Sequence, residues 1–171
     1  EAFSRDKETA ARHGARFRLS YDDEGLLLLA DVRDDFLVPS REEEHKGKLV
    51  DGIELFLDGR PAGKVGGRHY EDGVHQITLY PGTPGEAPPF FNAKKELQLD
   101  LQAEKTDQGY RLRARVPFST FFVGSGKPKK IGFDLAVNTA DASGERIAQY
   151  VWAGGNDNWQ NASNFREVWL V

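Results

Sequence analysis

Apolar residues recur at every second position in almost every patterned stretch of this chain. The clearest case near its centre is Asp51–Asp58, where Ile53, Leu55 and Leu57 alternate with Glu54, Phe56 and Asp58. A strand places the first three on one face and the second three on the other, so one side packs inward and the other offers two carboxylates beside an aromatic ring. The plain expectation for such a run is a half-buried strand with a solvated outer face. Phe17 and Leu19 alternate with Arg16, Arg18 and Ser20, and Tyr21–Gly25 supplies turn chemistry before the apolar run Leu26–Val32, which predicts a hairpin. Leu97, Leu99 and Leu101 carry the same period, as do Tyr110, Leu112, Ala114 and Val116 across an Asp107–Gly109 turn. Ile131, Phe133, Leu135 and Val137 alternate with Gly132, Asp134, Ala136 and Asn138. In Val74–Tyr80, His75 shares a face with Ile77 and Leu79, and Gln76 with Thr78 and Tyr80; Ile147–Ala153 and Phe165–Val171 close the set.

No helical period survives beyond a turn or two. Short strands at hairpin spacing predict an all-β fold, an antiparallel β-sandwich of about seven to nine or more strands with long loops. Without βαβ units there is no nucleotide-binding crossover. Residues 1–14 read as an N-terminal tail or incomplete first element, with Glu8–Ala11 at most a turn of helix, and 15–171 as a single domain. Between strands lie the charged stretch Arg41–Lys46, a short helix or a solvated loop, and the Gly-rich hairpin connection Ala62–Gly73. Pro81–Pro89 is a proline-broken surface loop, Pro117–Phe122 a tight turn or single helical turn, and Gly154–Asn164 a loop holding Trp159.

Composition narrows the chemistry. A chain of 171 residues with 39% apolar and 29% charged content supports one core, and its net charge of −4 gives no general attraction to phosphate backbones, which argues against nucleic acid as a partner. Absence of Cys excludes disulfides and thiolate metal sites, and absence of Met predicts a domain taken from a longer or processed chain. No run approaches the ~20 apolar residues of a membrane span, so no membrane insertion is expected within this segment.

Several catalytic and cofactor chemistries fail on residue type or spacing. There is no Gly-x-Ser-x-Gly elbow, and the four histidines, His13, His45, His69 and His75, form no zinc motif. Glu54 and Asp58 cannot be a retaining glycosidase pair, because residues four apart on a strand lie roughly 13 Å apart against the ~5 Å required. Haem commonly takes His with Met, and Met is missing, which leaves only a bis-His or His–Lys site and argues against haem. Binding remains. Asn156, Asn158, Gln160 and Asn161 crowd planar amides around Trp159, which suits an aromatic stack on a sugar's C–H face with fixed partners for its hydroxyls. The same residues equally suit a Trp that caps the core with amides shaping turns.

In order, Leu26–Asp35, Asp51–Asp58, Gly109–Pro117, Ile131–Asn138, Asp141, Trp152 and Asn164–Leu170 resemble the family 9 carbohydrate-binding modules and the wider sugar- or haem-binding sandwiches related to them. The resemblance covers about residues 15–171. It implies a saccharide slot between two tryptophans, lined by a Glu, an Arg–Gln pair and an Asn. Carried over by position, these are Glu54, Gln76, Asn156 and Trp159. Two departures stand out: His75 occupies the Arg position, and His45–Leu49 lies where the first tryptophan is expected. Phe36, Tyr80 or Phe90 would then supply the missing aromatic wall. The family also implies structural calcium on loop carboxylates, with Asp34, Asp35 and Asp141 as donors.

The expectation is therefore a non-catalytic carbohydrate-binding module of an extracytoplasmic protein, periplasmic or secreted, with a saccharide or polysaccharide as its partner. The alternative is a periplasmic ligand-sensing domain of a membrane signalling receptor whose sugar binding is altered or lost. Catalysis by the domain itself ranks third.

Overall fold

The computed structural model describes residues 2–4, 13–38, 50–83, 85–92 and 97–171. Its strands are β1 (Ala2–Ser4), β2 (Gly14–Tyr21), β3 (Gly25–Arg33), β4 (Gly52–Asp58), β5 (Val74–Leu79), β6 (Phe90–Asn92), β7 (Asp100–Thr106), β8 (Gly109–Pro117), β9 (Lys130–Ala140), β10 (Arg146–Val151) and β11 (Arg166–Trp169). A single helical turn, α1 (Phe118–Phe121), follows β8. The strands form two antiparallel sheets, one in the order β1-β10-β9-β4-β5-β6 with β11 also on β9, the other β2-β3-β8-β7. This is the antiparallel sandwich that the alternation predicts. Ala2–Ser4, inside the stretch read as a tail or incomplete element, pairs with β10. The Glu8–Ala11 turn, the Arg41–Lys46 stretch and His45–Leu49 fall outside the described residues.

Period-two patterning becomes packing directly. Ile53, Leu55 and Leu57 of β4 meet Leu26, Leu28, Leu112 and Val116 of the other sheet in one buried cluster. Each such side chain contributes about 1.5–3 kcal/mol through apolar area removed from water.

The outer face of β4 departs from the solvated expectation, because every residue of β4 is buried. Two loops cover it. Phe56 packs with Val74, Ala136, Ala162 and Phe165 in a second apolar cluster, with Phe56 and Phe165 ring centroids 5.7 Å apart. The 59–73 connection is fastened by Asp58, which accepts from Arg60 Nε at 2.9 Å and Arg60 Nη2 at 2.7 Å, and from the Gly66 N–H at 2.9 Å. Arg60 also reaches the His69 and Gly67 carbonyls. The outward set of β4 is thus the floor of a second layer, and Phe56 is its apolar half.

Candidate binding site

β4 runs between β5 and β9, and the register sets Glu54 opposite Thr78 and Ala136. The small Ala136 side chain leaves the carboxylate room on that face. Glu54 is only 2% exposed, yet among the described residues it has no ion pair. A buried carboxylate without a cation must be held by hydrogen bonds. Glu54 Oε1 accepts from Asn138 Nδ2 at 2.5 Å and from Gln149 Nε2 at 3.2 Å, and Oε2 accepts from Gln76 Nε2 at 2.6 Å. Asn138 Oδ1 in turn accepts from Gln149 Nε2 at 3.1 Å and Arg146 Nη1 at 3.3 Å. Glu54, Asn138 and Gln149 are buried, whereas Gln76 and Arg146 are half-buried, so the network meets solvent through its outer donors.

A one-residue irregularity makes this arrangement possible. Arg146 pairs with Ala140 and Ala148 with Thr139, so Ile147 is the extra residue of a bulge. Three residues apart on a regular strand, Arg146 and Gln149 would point to opposite faces; the bulge turns both toward Asn138.

The second part of the site is the loop after β10. Asp134, outward on β9 and paired in register with Phe56, accepts from the N–H groups of Ala153 (3.0 Å) and Gly154 (2.7 Å) and from Asn158 Nδ2 (2.6 Å). Gly154 is required here, since a Cβ would lie 2.4 Å from Asn158 Oδ1 and 2.6 Å from Asp134 Oδ2. The Tyr70 hydroxyl donates to the Asn158 carbonyl at 2.6 Å, and burial, then the charges of Glu54 and Asp58, push its ionisation far up. Farther along, the hydrogen bond from Asn161, helped by one from Asn164, holds the Asp157 carboxyl below the usual range. This moored loop leaves Trp159 58% exposed, so the ring does not cap the core.

The structure brings Glu54 and Gln76 into contact and anchors the loop of exposed Asn156 and Trp159 to the same sheet face. It does not bring His75 there. His75 pairs in register with Leu57, on the inward face, and its Nδ1 lies 3.2 Å from Asn92 Nδ2. The alternation of β5 overrides the positional match. Two of the three aromatic-wall candidates are likewise spent: Tyr80 is 2% exposed among Val50 and Ala140, and Phe90, opposite Leu79, packs on the main core. Phe36 remains 54% exposed.

Sequence reasoning missed Asn138, Gln149 and Arg146 as partners of Glu54. A signal existed for Asn138, which stands in the outward set of the clearest strand beside small residues. The loop amides divide between the two expectations: Asn158 and Asn161 shape the loop, while Asn156 is exposed.

The calcium donors do not gather. Asp141 accepts from the N–H groups of Ser143 and Glu145 in its own turn, and Asp35 is exposed. Asp34 is buried, accepts from Thr139 Oγ1 at 2.7 Å and lies 3.4 Å from His13 Nε2. Burial, and then the charge of Asp34, push the neighbouring Asp51 carboxyl up to about 7, and burial raises Asp34 as well. Among the described residues no three His, Cys, Asp or Glu side chains converge on a point that would hold a metal.

A two-sheet sandwich with planar hydrogen-bonding groups on one sheet face, and an exposed indole on a loop anchored to that face, offers the two kinds of contact a sugar takes. The chain belongs to the carbohydrate family 9 binding domain-like family, whose sequence profile matches residues 2–171. It is 27% identical over 158 residues to exoglucanase XynX of Acetivibrio thermocellus, an alignment covering 92% of this chain and 14% of that protein. It is also 27% identical over 155 residues to endo-1,4-beta-xylanase A of Thermoanaerobacterium saccharolyticum, with coverage of 90% and 12%. The chain therefore spans about a seventh to an eighth of the length of these relatives. A family 9 carbohydrate-binding module of Caldicellulosiruptor kristjanssonii shares the fold. In complex with glucose it superposes with a TM-score of 0.76 at 24% identity, covering 94% of this chain and 78% of that one. In complex with cellotriose the TM-score is 0.75 at 23% identity, with coverage of 92% and 75%. Among the described residues no helix is long and apolar enough to cross a membrane.

Proposed function

We propose that the outer face of the seven-stranded sheet around Glu54 binds a neutral saccharide of the glucose or cello-oligosaccharide type and leaves it unchanged. One observation carries this reading: a buried carboxylate is held rigid by three amide N–H groups, with half-buried Gln76 and Arg146 turned to solvent at its rim. Such a platform presents donors and acceptors at fixed angles to sugar hydroxyls, and Trp159 supplies the stacking surface above it. Phe36 is assigned to the facing wall, since its ring is exposed and its segment is tied through the Val38 N–H to Asp51, beside β4.

Among the described residues the other outward carboxylates of β4 and β9 are engaged, Asp58 with Arg60 and Asp134 with loop donors, which favours binding over catalysis. The domain acts as a targeting module within an exported, extracytoplasmic protein. Calorimetric titration with glucose, cellotriose and xylotriose tests the binding. Trp159→Ala should weaken the bound sugar by roughly tenfold, the scale of one lost aromatic contact, and Phe36→Ala by less. If no saccharide binds at millimolar concentration and Trp159→Ala changes nothing, the reading fails. Incubation of the chain with xylan should leave the polymer's length unchanged.

A further inference from the structure

The outward face of the four-stranded sheet is a second, independent surface. Its outward strand positions carry six arginines, Arg16, Arg18, Arg33, Arg111, Arg113 and Arg115, against three carboxylates, Asp31, Asp100 and Glu104. In a chain of net charge −4, these strand positions sum to the opposite sign. None of the six is a lysine. Arginine presents a planar fork that matches a carboxylate with two parallel hydrogen bonds, which a lysine ammonium cannot do.

Four of the arginines fall into two kinds. Arg111 is spent on Asp31 and Glu104, and Arg115 on Asp22 and Glu24. Arg18 and Arg113, by contrast, are exposed and have no ion pair among the described residues. The register sets them in one row, Arg18 opposite Leu29, Leu29 opposite Arg113, and Arg113 opposite Gln102. Two strand spacings separate the arginine backbones by roughly 10 Å. Between them runs a groove of about 450 Å³, floored by half-buried Leu27 and Leu29 and edged by Ser20 and Gln102.

We propose that this groove binds the carboxylate-bearing, uronate residues of an acidic polysaccharide. Arg18 and Arg113 take carboxylates, Leu29 takes the apolar face of a pyranose ring, and Gln102 and Ser20 meet hydroxyls. Charge complementarity selects an anion, the fork geometry suits an oxyanion that accepts two parallel hydrogen bonds, as a carboxylate does, and the apolar floor favours one carried on a sugar ring. Asp100, which lines the groove, and Asp31 and Glu104 in the neighbouring row oppose the continuous charge of a nucleic acid.

The test is titration of the chain with trigalacturonate at low and moderate salt, with cellotriose and a single-stranded oligonucleotide as comparison ligands. Trigalacturonate should bind, more weakly as salt rises. The Arg18→Gln/Arg113→Gln double variant should lose at least roughly tenfold in that affinity, the scale of one charged hydrogen bond, with its thermal midpoint and cellotriose binding unchanged. Arg18→Lys/Arg113→Lys should fail to restore it, and Trp159→Ala should leave it intact. Any one of three results overturns the proposal: no trigalacturonate binding at millimolar concentration, equal binding by the double glutamine variant, or tighter binding of the oligonucleotide. Loss of trigalacturonate binding in Trp159→Ala would place the ligand on the other sheet and overturn it as well.

Discussion

On the outward face of the seven-stranded sheet, Glu54, Asp58 and Asp134 are buried carboxylates, Glu54 held by amides of the neighbouring strands and the other two by donors of the covering loops. On the outward face of the four-stranded sheet, Asp31, Asp22 and Glu104 are exposed and paired with Arg111 or Arg115 across open strands. Both faces alternate polar positions with inward apolar ones, and both use hydrogen-bonded carboxylates. They differ in what lies above them. Under the loops, a lost partner leaves a charge or donor without water, so each bond fixes position strongly; in the open, water replaces the partner at little cost. The covered face is thereby suited to hold a neutral ligand by geometry, the open one to attract a charged ligand.

Substitutions on the two faces should separate by magnitude. Arg60→Ala should have the largest effect, about 3–5 kcal/mol of lost stability in chemical denaturation, because it strands the Asp58 charge under the 59–73 connection. A loss below about 1 kcal/mol would mean that water reaches Asp58 and that this face is not sealed. Asp134→Ala should cost about 2 kcal/mol and should speed hydrogen exchange at the Gly154 amide, since its three loop donors lose their acceptor. It should also weaken cellotriose binding by releasing the Trp159 loop. Trp159→Ala itself should change stability by less than about 0.5 kcal/mol while lowering sugar affinity, as the ring is mostly exposed.

The smallest effect belongs to the open face. The Arg115 guanidinium, with the Glu24 N–H, holds the Asp22 carboxyl down to about 2. A depressed carboxylate favours the folded state above its ordinary titration range, and that contribution is lost as pH falls toward 2. Arg115→Gln should return Asp22 to the ordinary range in an NMR titration, with unfolding scarcely altered at neutral pH. An unchanged Asp22 titration would show that Arg115 does not hold it.

How much of this was legible in the sequence follows from what alternation encodes. Period-two patterning identifies strands and inward faces, which is why β2 to β5, β8 and β9 lie close to where Phe17, Leu28, Leu55, Ile77, Leu112 and Leu135 predict them, whereas β7 begins only at Asp100, beyond Leu97 and Leu99. The same pattern is silent about the outer layer, since Glu54, Phe56 and Asp58 alternate identically whether water or a loop lies beyond them. Phe56 was the clue, being an aromatic ring in an outward set. His75 was misplaced by following a family position when its own alternation with Ile77 and Leu79 already turned it inward. Arg146 and Gln149 were hidden by the bulge at Ile147, because one inserted residue reverses the facing that spacing implies. Asn158 and Asn156, two residues apart in one loop, differ only in which of them Asp134 holds.

The central claim is that the Glu54 network is the saccharide platform. Nitrogen-resolved NMR of the side-chain amides during titration with cellotriose tests it most directly. The side-chain amides of Gln76, Asn138 and Gln149 and the Trp159 indole N–H should shift together and saturate with one affinity, while the guanidinium signals of Arg18 and Arg113 stay in place. Shifts confined to the four-stranded sheet, or a saturated complex in which Gln76 and Trp159 do not move, would contradict it.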